Sequence, residues 1–259
     1  MRYNKYILLL IGCLFFTSCF KVKSFDSSSK PINHLQFDSL LRKYVNAAGE
    51  VNYKGFIADS VLFKSYLKAL SAHHPNEKIW TRNEQMAYWI NAYNAFTIKL
   101  ICDHYPIASI KDIKRGIPLV SDTWAINFIN IEGKTYNLNN IEHGILRPQF
   151  NDPRIHAAVN CASKSCPKLR NSAYTAENLD AQLTEQMRAF INDPLRNHIL
   201  SSQSAEVSKI FSWFSGDFTK AQPTVIDFIN VYSAKKLNKN AKISHLDYDW
   251  SLNDVKQIK

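Results

Sequence analysis

Residues 81–106 read TRNEQMAYWINAYNAFTIKLICDHYP, and this stretch decides the fold. It opens with a capping box, in which the Thr81 hydroxyl can accept from the backbone N–H of Glu84 while the Glu84 carboxylate reaches back. It ends before Pro106, because proline cannot continue helical hydrogen bonding. The residues between are apolar nearly all round, so the sequence predicts a central, buried helix that runs to about His104.

Two asparagines, Asn91 and Asn94, lie three positions apart and therefore on one face of this helix. A buried side-chain amide costs free energy unless it is hydrogen-bonded. The interpretation we favour is that both amides hold the backbone of neighbouring loops. The alternative is that they contribute to a binding site together with Trp89 and Asp247.

The segments before and after the central helix differ in predicted secondary structure. Helical spacing of apolar residues predicts two amphipathic helices before it, at about 37–48 and 60–72. After it, strand-like segments alternate with shorter helices. Predicted strands are 125–131 and 134–138 around a Glu132-Gly133 turn, 155–159, 197–200, 206–211 and 243–250, and predicted helices are 142–146, 175–192 and 223–237. Residues 35–259 are therefore expected to form a single α+β domain, with the helices packed on a mixed or antiparallel sheet.

Composition excludes the common nucleotide-binding folds. The chain has only seven glycines among 259 residues, and they are scattered singly. Neither a GxGxxG nor a GxxxxGK[ST] loop can be built from them, so the backbone cannot approach a phosphate in the usual way. We predict no cofactor.

The first residues are typical of an export signal. Arg2 and Lys5 precede an apolar run over 6–16 that is too short to span a bilayer, and small residues then lead into Cys19. This pattern resembles the lipobox of bacterial lipoproteins, in the relaxed form common among Bacteroidota. The resemblance implies a signal peptide over 1–18, a lipid on Cys19 and a tether over 19–34. The alternatives are a simple secretory signal or an uncleaved anchor.

The predicted export of the chain changes how its net positive charge is interpreted. The formal balance of +10 falls to +8 once Arg2 and Lys5 are removed with the signal peptide. An exported lipoprotein seldom meets nucleic acid, and the chain carries no zinc finger and no Lys/Arg-dense helix. We therefore expect no nucleic-acid partner. The expected contacts are the membrane, through the lipid on Cys19, and an envelope peptide, glycan or protein, with the domain facing the periplasm.

The run with the most reactive side chains is 155–167, IHAAVNCASKSCP. Residues 156–167 of this run, together with WINAYNA at 89–95 and DYDW at 247–250, resemble the family called domain of unknown function 547. The three blocks occur in the expected order, and the resemblance spans about Phe37 to Trp250. It implies no established reaction. The family occurs in bacterial envelope proteins and, in plants, beside leucine-zipper segments.

Cys161 and Cys166 have several alternative roles. In an exported protein they can close a small loop as a disulfide. Alternatively, either thiol can be a nucleophile with His156 as its base, because a thiol needs a neighbouring imidazole to ionise at neutral pH. Asp249 or Asp247 would then orient the imidazole.

The remaining alternatives for these cysteines are a metal site and inert burial. His143 and His156 would complete a zinc-type set with the two thiols, yet their spacing matches no known finger, so we predict no metal. Two functional hypotheses follow. The first is a lipid-anchored binding or scaffold domain, and the second is a thiol-dependent hydrolase or acyltransferase acting on peptide, amide or ester bonds.

Overall fold

The computed structural model describes residues 27–114 and 122–255, so the predicted signal peptide and Cys19 lie outside the described residues. Within these ranges the fold is α+β, as predicted from the sequence. No helix in the described ranges is both long and apolar enough to cross a membrane. The helices are Leu35–Tyr44, Tyr53–Ala58, Ser60–Ser71, Arg82–His104, Asn140–Phe150, Ile155–Ala158, Leu179–Ile191, Ile210–Trp213, Ser215–Ala221 and Val225–Tyr232, and the strands are Ile129–Ile131, Lys134–Tyr136, His198–Ser201, Ser204–Val207 and Lys242–His245.

The central helix, Arg82–His104, confirms the prediction for residues 81–106. Its capping box is complete: the Glu84 N–H donates to Thr81 Oγ1 at 3.3 Å, and the Thr81 N–H donates to Glu84 Oε2 at 2.7 Å. Every residue from 86 to 98 is buried, which explains why the sequence is apolar all round. The helices around it, including Leu35–Tyr44 and Ser60–Ser71, bury their own apolar faces in the same cluster.

Two small sheets complete the fold. Strands Ile129–Ile131 and Lys134–Tyr136 form the predicted hairpin, with Glu132 and Gly133 both at positive φ in the turn. The second sheet is mixed. His198–Ser201 pairs antiparallel with Ser204–Val207, which pairs parallel with Lys242–His245.

The predicted strand over 155–159 is wrong. Ile155–Ala158 is one turn of helix, and only Val159 after it is extended. The preceding Asp152-Pro153 pair starts the turn, because the Asp152 carboxylate accepts from the Arg154 N–H at 2.9 Å and its carbonyl accepts from Ile155. Proline at the second position fixes the φ angle that such a turn needs.

Residues 27–33, which the sequence assigns to the tether, lie against the domain. The Ser27 hydroxyl donates to Glu132 Oε1 at 2.9 Å, and the Asn76 amide donates to the Ser27 carbonyl at 2.6 Å. The Trp80 indole N–H donates to the Ser29 carbonyl at 2.8 Å. The packed domain therefore extends at least to Ser27, because these serines supply the partners of buried polar groups.

The buried apolar residues divide into two clusters. The larger one surrounds the central helix and takes in residues from Phe37 to Leu183, together with Leu252. The smaller one is built mainly after residue 187, from side chains such as Phe211, Phe218 and Phe228. The pocket described below is lined by residues of both clusters.

Candidate functional site

Asn94 fixes the loop that carries the two cysteines. Its side-chain amide donates to the Ala158 carbonyl at 2.9 Å and accepts from the Asn160 N–H at 2.9 Å. The Asn160 side chain in turn donates to the Pro167 carbonyl at 2.8 Å and accepts from the Ala162 N–H at 2.9 Å. Residues 159–167, which we call the thiol loop, are thus tied to the central helix by buried hydrogen bonds.

Asn91 does the same for another loop. Its amide donates to the Tyr174 carbonyl at 2.8 Å and accepts from the Tyr174 N–H at 3.0 Å. Trp89 packs in the core, with its ring 5.4 Å from that of His74. The side-chain amides of Asn91 and Asn94 are therefore engaged by backbone, the arrangement that the sequence favoured. A binding role for Asn91, Asn94 and Trp89 stays a prediction.

A second set of contacts holds the thiol loop from the other side. The buried Arg196 guanidinium donates through Nε to the Cys166 carbonyl at 2.5 Å and through Nη2 to the Lys164 carbonyl at 3.0 Å. Its Nη1 pairs with Asp193 at 2.5 Å, so the guanidinium charge is compensated. Backbone bonds from Lys164 and Ser165 also reach residues 249–251.

The two cysteines of the loop are free thiols in contact. Cys161 Sγ lies 2.8 Å from Cys166 Sγ, and the Cys161 backbone N–H donates to Cys166 Sγ at 2.9 Å. A disulfide bond would bring the sulfurs to about 2.05 Å. The predicted disulfide stays a prediction, but the loop holds the sulfurs close enough for one to form.

Cys161 receives further polar contacts. Its Sγ lies 3.2 Å from the Ser163 hydroxyl and 3.3 Å from the Tyr248 hydroxyl. Burial by itself raises the pKa of this thiol. Hydrogen bonds outweigh that effect and lower the pKa to about 7; they come from Cys166, Ser163 and Tyr248.

The pKa of the Cys166 thiol is shifted in the opposite direction. It is only 4% exposed, and burial followed by the neighbouring Cys161 raises its pKa well above the ordinary value. One member of the pair therefore ionises near neutral pH while the other keeps its proton. The protonated thiol of Cys166 is then a donor to the thiolate of Cys161.

His156 is held by a carboxylate that sequence analysis did not identify. Its Nε2 lies 2.9 Å from Asp217 Oδ2, and the ring stacks on Phe214 with centroids 4.0 Å apart. Arg147 Nε donates to the same oxygen at 2.5 Å. Burial raises the pKa of Asp217, but hydrogen bonds from His156 and Arg147 outweigh it and hold the pKa well below its usual range. Since Asp217 is ionised, Nε2 of His156 carries a proton toward it.

Asp217 thus stands where the sequence suggested Asp249. Asp249 lies in the exposed C-terminal segment, and its carboxylate accepts from the Ser251 N–H at 2.8 Å. Asp249 is not among the residues that line the pocket. Its backbone N–H donates to the Ser165 hydroxyl at 2.8 Å. Asp247 is fully exposed and pairs with Lys209 at 3.3 Å. The spacing of two carboxylates along an extended segment gave no information about which histidine they would face.

The thiols and His156 line one pocket of about 230 Å³. Aromatic rings form much of its wall, and Trp213, Tyr248 and Trp250 contact one another at ring distances of 4.5 to 5.9 Å. Among the described residues, the only hydrogen bond of the His156 ring goes to Asp217, and it makes none to either sulfur. Activation of Cys161 in this geometry therefore comes from its hydroxyl and thiol neighbours rather than from the imidazole.

Three of the site's residues carried a weak signal in the sequence. Ser163 lies inside the run 155–167, and Tyr248 and Trp250 belong to the DYDW block. Asp217, Arg147 and Trp213 carried none, since they are distant in the chain from the cysteines.

Within the described residues, no group of three or more His, Cys, Asp or Glu side chains is arranged to hold a metal ion.

Comparison with known proteins gives a family resemblance and no function. No curated protein matches the chain, and no solved structure matches it either. Two of the three sequence blocks, 89–95 and 156–167, fall within a region matched by a family model, whereas 247–250 lies beyond it. Residues 78–191, which include the central helix and the thiol loop, match the family described as "Protein of unknown function, DUF547".

Proposed function

We propose that the chain is a thiol-dependent enzyme of the cell envelope, with Cys161 as its nucleophile, that hydrolyses or transfers acyl groups held in peptide, amide or ester bonds. One observation carries the proposal: the Cys161 sulfur lines a pocket and receives hydrogen bonds that lower its pKa to about 7. A purely structural cysteine pair needs neither the pocket nor the donors. The geometry thus favours the enzyme over the binding or scaffold domain.

In the proposed reaction the Cys161 thiolate attacks the carbonyl carbon of the substrate. The bond from that carbon to nitrogen or oxygen breaks, and a thioester forms on Cys161. The departing amine or alcohol takes a proton from the pocket, where the candidates are the Tyr248 hydroxyl and the His156 imidazole. Water or a second nucleophile then attacks the thioester, its proton returns to the group that protonated the leaving group, and the carbon–sulfur bond breaks to release the Cys161 thiolate.

The pairing of His156 with Asp217 supports a part in moving protons. Because Nε2 donates to the ionised carboxylate, Nδ1 of the neutral ring is left as the basic nitrogen. Asp217 also stabilises the imidazolium once a proton arrives, as an orienting carboxylate does in a triad. Arg147 holds Asp217 in place from the other side.

The place of action rests on the N-terminal sequence. We propose that the chain is exported and anchored to the cell envelope by lipid on Cys19, facing the periplasm. The support is the basic start, the short apolar run over 6–16 and the position of Cys19. The test is metabolic labelling of bacteria that express the full chain with an alkyne fatty acid. Label is expected on the wild type and absent from Cys19→Ala, and equal labelling of both would contradict the anchor.

The enzymatic proposal is tested with p-nitrophenyl acetate as an acyl donor. The reduced full chain should release p-nitrophenol in a burst, and mass spectrometry should find the acetyl group on Cys161. Cys161→Ala should lose both signals, while Cys102→Ala, which changes a thiol outside the pocket, should keep them. Acetylation spread over other residues, or a burst that survives Cys161→Ala, would overturn the proposal.

The binding-domain hypothesis has one observation of its own. The Trp213 side chain is 48% exposed beside Tyr248 and Trp250, and such exposed aromatic rings stack on sugars and on apolar peptide groups. Titration of the chain with soluble peptidoglycan fragments should quench tryptophan fluorescence if this surface binds them. Quenching that survives Trp213→Ala would contradict that role for the surface.

A further inference from the structure

We propose that Cys161 and Cys166 also act as a redox-active dithiol, which exchanges two electrons with disulfides of exported proteins or small molecules. The inference rests on two parts of the proposed function, the exported location and the role of Cys161 as the attacking sulfur. It differs from a structural disulfide in that the bond opens and closes at the potential of the compartment.

The distance between the sulfurs supports this role. At 2.8 Å, the Sγ atoms must approach by about 0.8 Å to reach bonding distance. The thiol loop is pinned on one side through Asn160 and on the other through the Cys166 carbonyl. Both sulfurs are therefore presented to each other before any oxidant arrives, so little loop-closure entropy is lost on bonding.

The two thiols differ in access. Both sulfurs line the pocket, but Cys161 is half-buried, whereas Cys166 is only 4% exposed. An external disulfide can therefore reach Cys161 first, and Cys166 is placed to resolve the intermediate. Their opposite pKa shifts agree with these two roles. The attacking sulfur must be a thiolate, whereas the resolving sulfur can remain protonated until the mixed disulfide has formed.

The exchange balances without any further reagent. The Cys161 thiolate attacks one sulfur of a disulfide RSSR, the S–S bond of RSSR breaks, and RS⁻ leaves. Cys166 then gives its proton to the departing thiolate and attacks Cys161 Sγ, which expels the second RS⁻. The protein dithiol is oxidised by two electrons to the Cys161–Cys166 disulfide, and RSSR is reduced to two RSH; the second proton comes from solvent.

The exchange also affects the acyl-transfer reaction proposed above. Oxidation consumes the Cys161 thiolate, so the oxidised pocket has no nucleophile for a carbonyl carbon. The two activities would therefore exclude each other, and the redox state of the envelope would set which one the pocket performs.

The test is a redox titration of the full chain in glutathione buffers of varied GSH/GSSG ratio. Samples are quenched in acid, alkylated with a maleimide and analysed by peptide mass spectrometry. We expect Cys161 and Cys166 to lose their labels together in one reversible two-electron transition. Cys102→Ala should show the same midpoint, and Cys166→Ala should instead accumulate glutathione on Cys161.

Three outcomes would overturn the proposal. The first is that both thiols stay labelled in GSSG alone, the second is a disulfide that resists reduced glutathione, and the third is a disulfide between Cys161 and Cys102. The acetylation experiment on the reduced wild type is independent of this transition. Loss of acetylation with an intact transition removes only the acyl-transfer function, and the reverse result removes only the dithiol.

Discussion

The carboxyl end of the central helix and the thiol loop each hold a partly buried cysteine, yet the two environments shift the pKa of the thiol in opposite directions. Cys102 Sγ lies 3.9 Å from the Tyr53 carbonyl, which can only accept a hydrogen bond and so stabilises the protonated thiol. Burial, followed by the charge of Asp103, raises the pKa of Cys102 to about 12. Cys161 is surrounded by donors instead, and its pKa falls to about 7.

The difference shows that burial alone does not decide whether a thiol is inert. Both sulfurs lose solvation in the protein, and in each case desolvation is the largest influence on the pKa and raises it. What separates them is the chemical type of the neighbours, an acceptor in one case and hydroxyl and thiol donors in the other. Each of the following experiments changes one neighbour or compares the two sulfurs directly.

The largest expected effect is the ratio of alkylation rates in the reduced wild type. At pH 7 about half of Cys161 is thiolate, against a far smaller share of Cys102. The lower intrinsic nucleophilicity of a low-pKa thiolate offsets part of this gain. Iodoacetamide should still modify Cys161 faster by roughly two to three orders of magnitude. Site-resolved mass spectrometry measures both rates, and equal rates would contradict the comparison.

The next experiment removes the support of the thiol loop. Asn94→Ala leaves the Asn160 N–H and the Ala158 carbonyl buried without partners, which should cost about 2–4 kcal/mol in the free energy of unfolding. Once the loop loosens, Cys161 should lose its donors, and the midpoint of its alkylation rate against pH should rise by about one unit or more.

Asn91→Ala is the matched control for that experiment. It removes the same kind of two-bond clamp from Tyr174, so urea denaturation should show a similar loss of stability. The Cys161 midpoint should stay near pH 7, because Tyr174 lies outside the thiol loop. If both variants shift the midpoint equally, the pKa of Cys161 depends on the general packing of the core and not on the two hydrogen bonds of Asn94.

The contrast between the two asparagines also indicates what a sequence can reveal. The hydrophobic period and the capping box of residues 81–106 are local, so the central helix could be predicted to its last residue. That its amides hold loops followed from the cost of burying them. Which loop each one holds did not follow, because Ala158 and Tyr174 are 64 and 83 positions away in the chain.

The site itself was only half predictable for the same reason. His156, Cys161 and Cys166 share one short run and were identified by residue type. Their partners Asp217 and Tyr248 come from 61 and 87 positions further along, brought in by packing of the smaller apolar cluster. The predicted strand at 155–159 failed because the local Asp152-Pro153 turn overrides the β propensity of its isoleucine and valine.

A smaller change should follow from removing one donor of Cys161. Tyr248→Phe keeps the aromatic ring and removes the hydroxyl that lies 3.3 Å from Sγ. A net hydrogen bond of about 1 kcal/mol corresponds to about 0.7 of a pKa unit. The midpoint of alkylation against pH should rise by that amount, while Tyr232→Phe in the smaller apolar cluster should leave it unchanged. A midpoint that stays at about 7 in Tyr248→Phe would assign the lowered pKa to Cys166 and Ser163 alone.

The smallest expected effect on the thiol comes from Asp217→Asn. Because the His156 ring makes no hydrogen bond to either sulfur within the described residues, the alkylation midpoint of Cys161 should stay near pH 7. Stability should change nonetheless. The folded-state pKa of Asp217 is depressed, so its carboxylate stabilises the fold above the unfolded pKa of about 3.9, and this contribution is lost as the pH falls below that value.

At pH 7, Asp217→Asn should therefore lower the free energy of unfolding by about 1–3 kcal/mol, since Arg147 and His156 lose a charged partner. The gap between variant and wild type should begin to narrow as the pH falls below about 4, because the unfolded wild-type carboxyl is then protonated while the folded one, with its depressed pKa, stays ionised. Asp180→Asn, which breaks an exposed pair with Arg154, should cost under about 1 kcal/mol. An alkylation midpoint that moves in Asp217→Asn would mean that the imidazole reaches the thiolate after all, and that activation of Cys161 depends on a histidine as well as on the donors that distinguish it from Cys102.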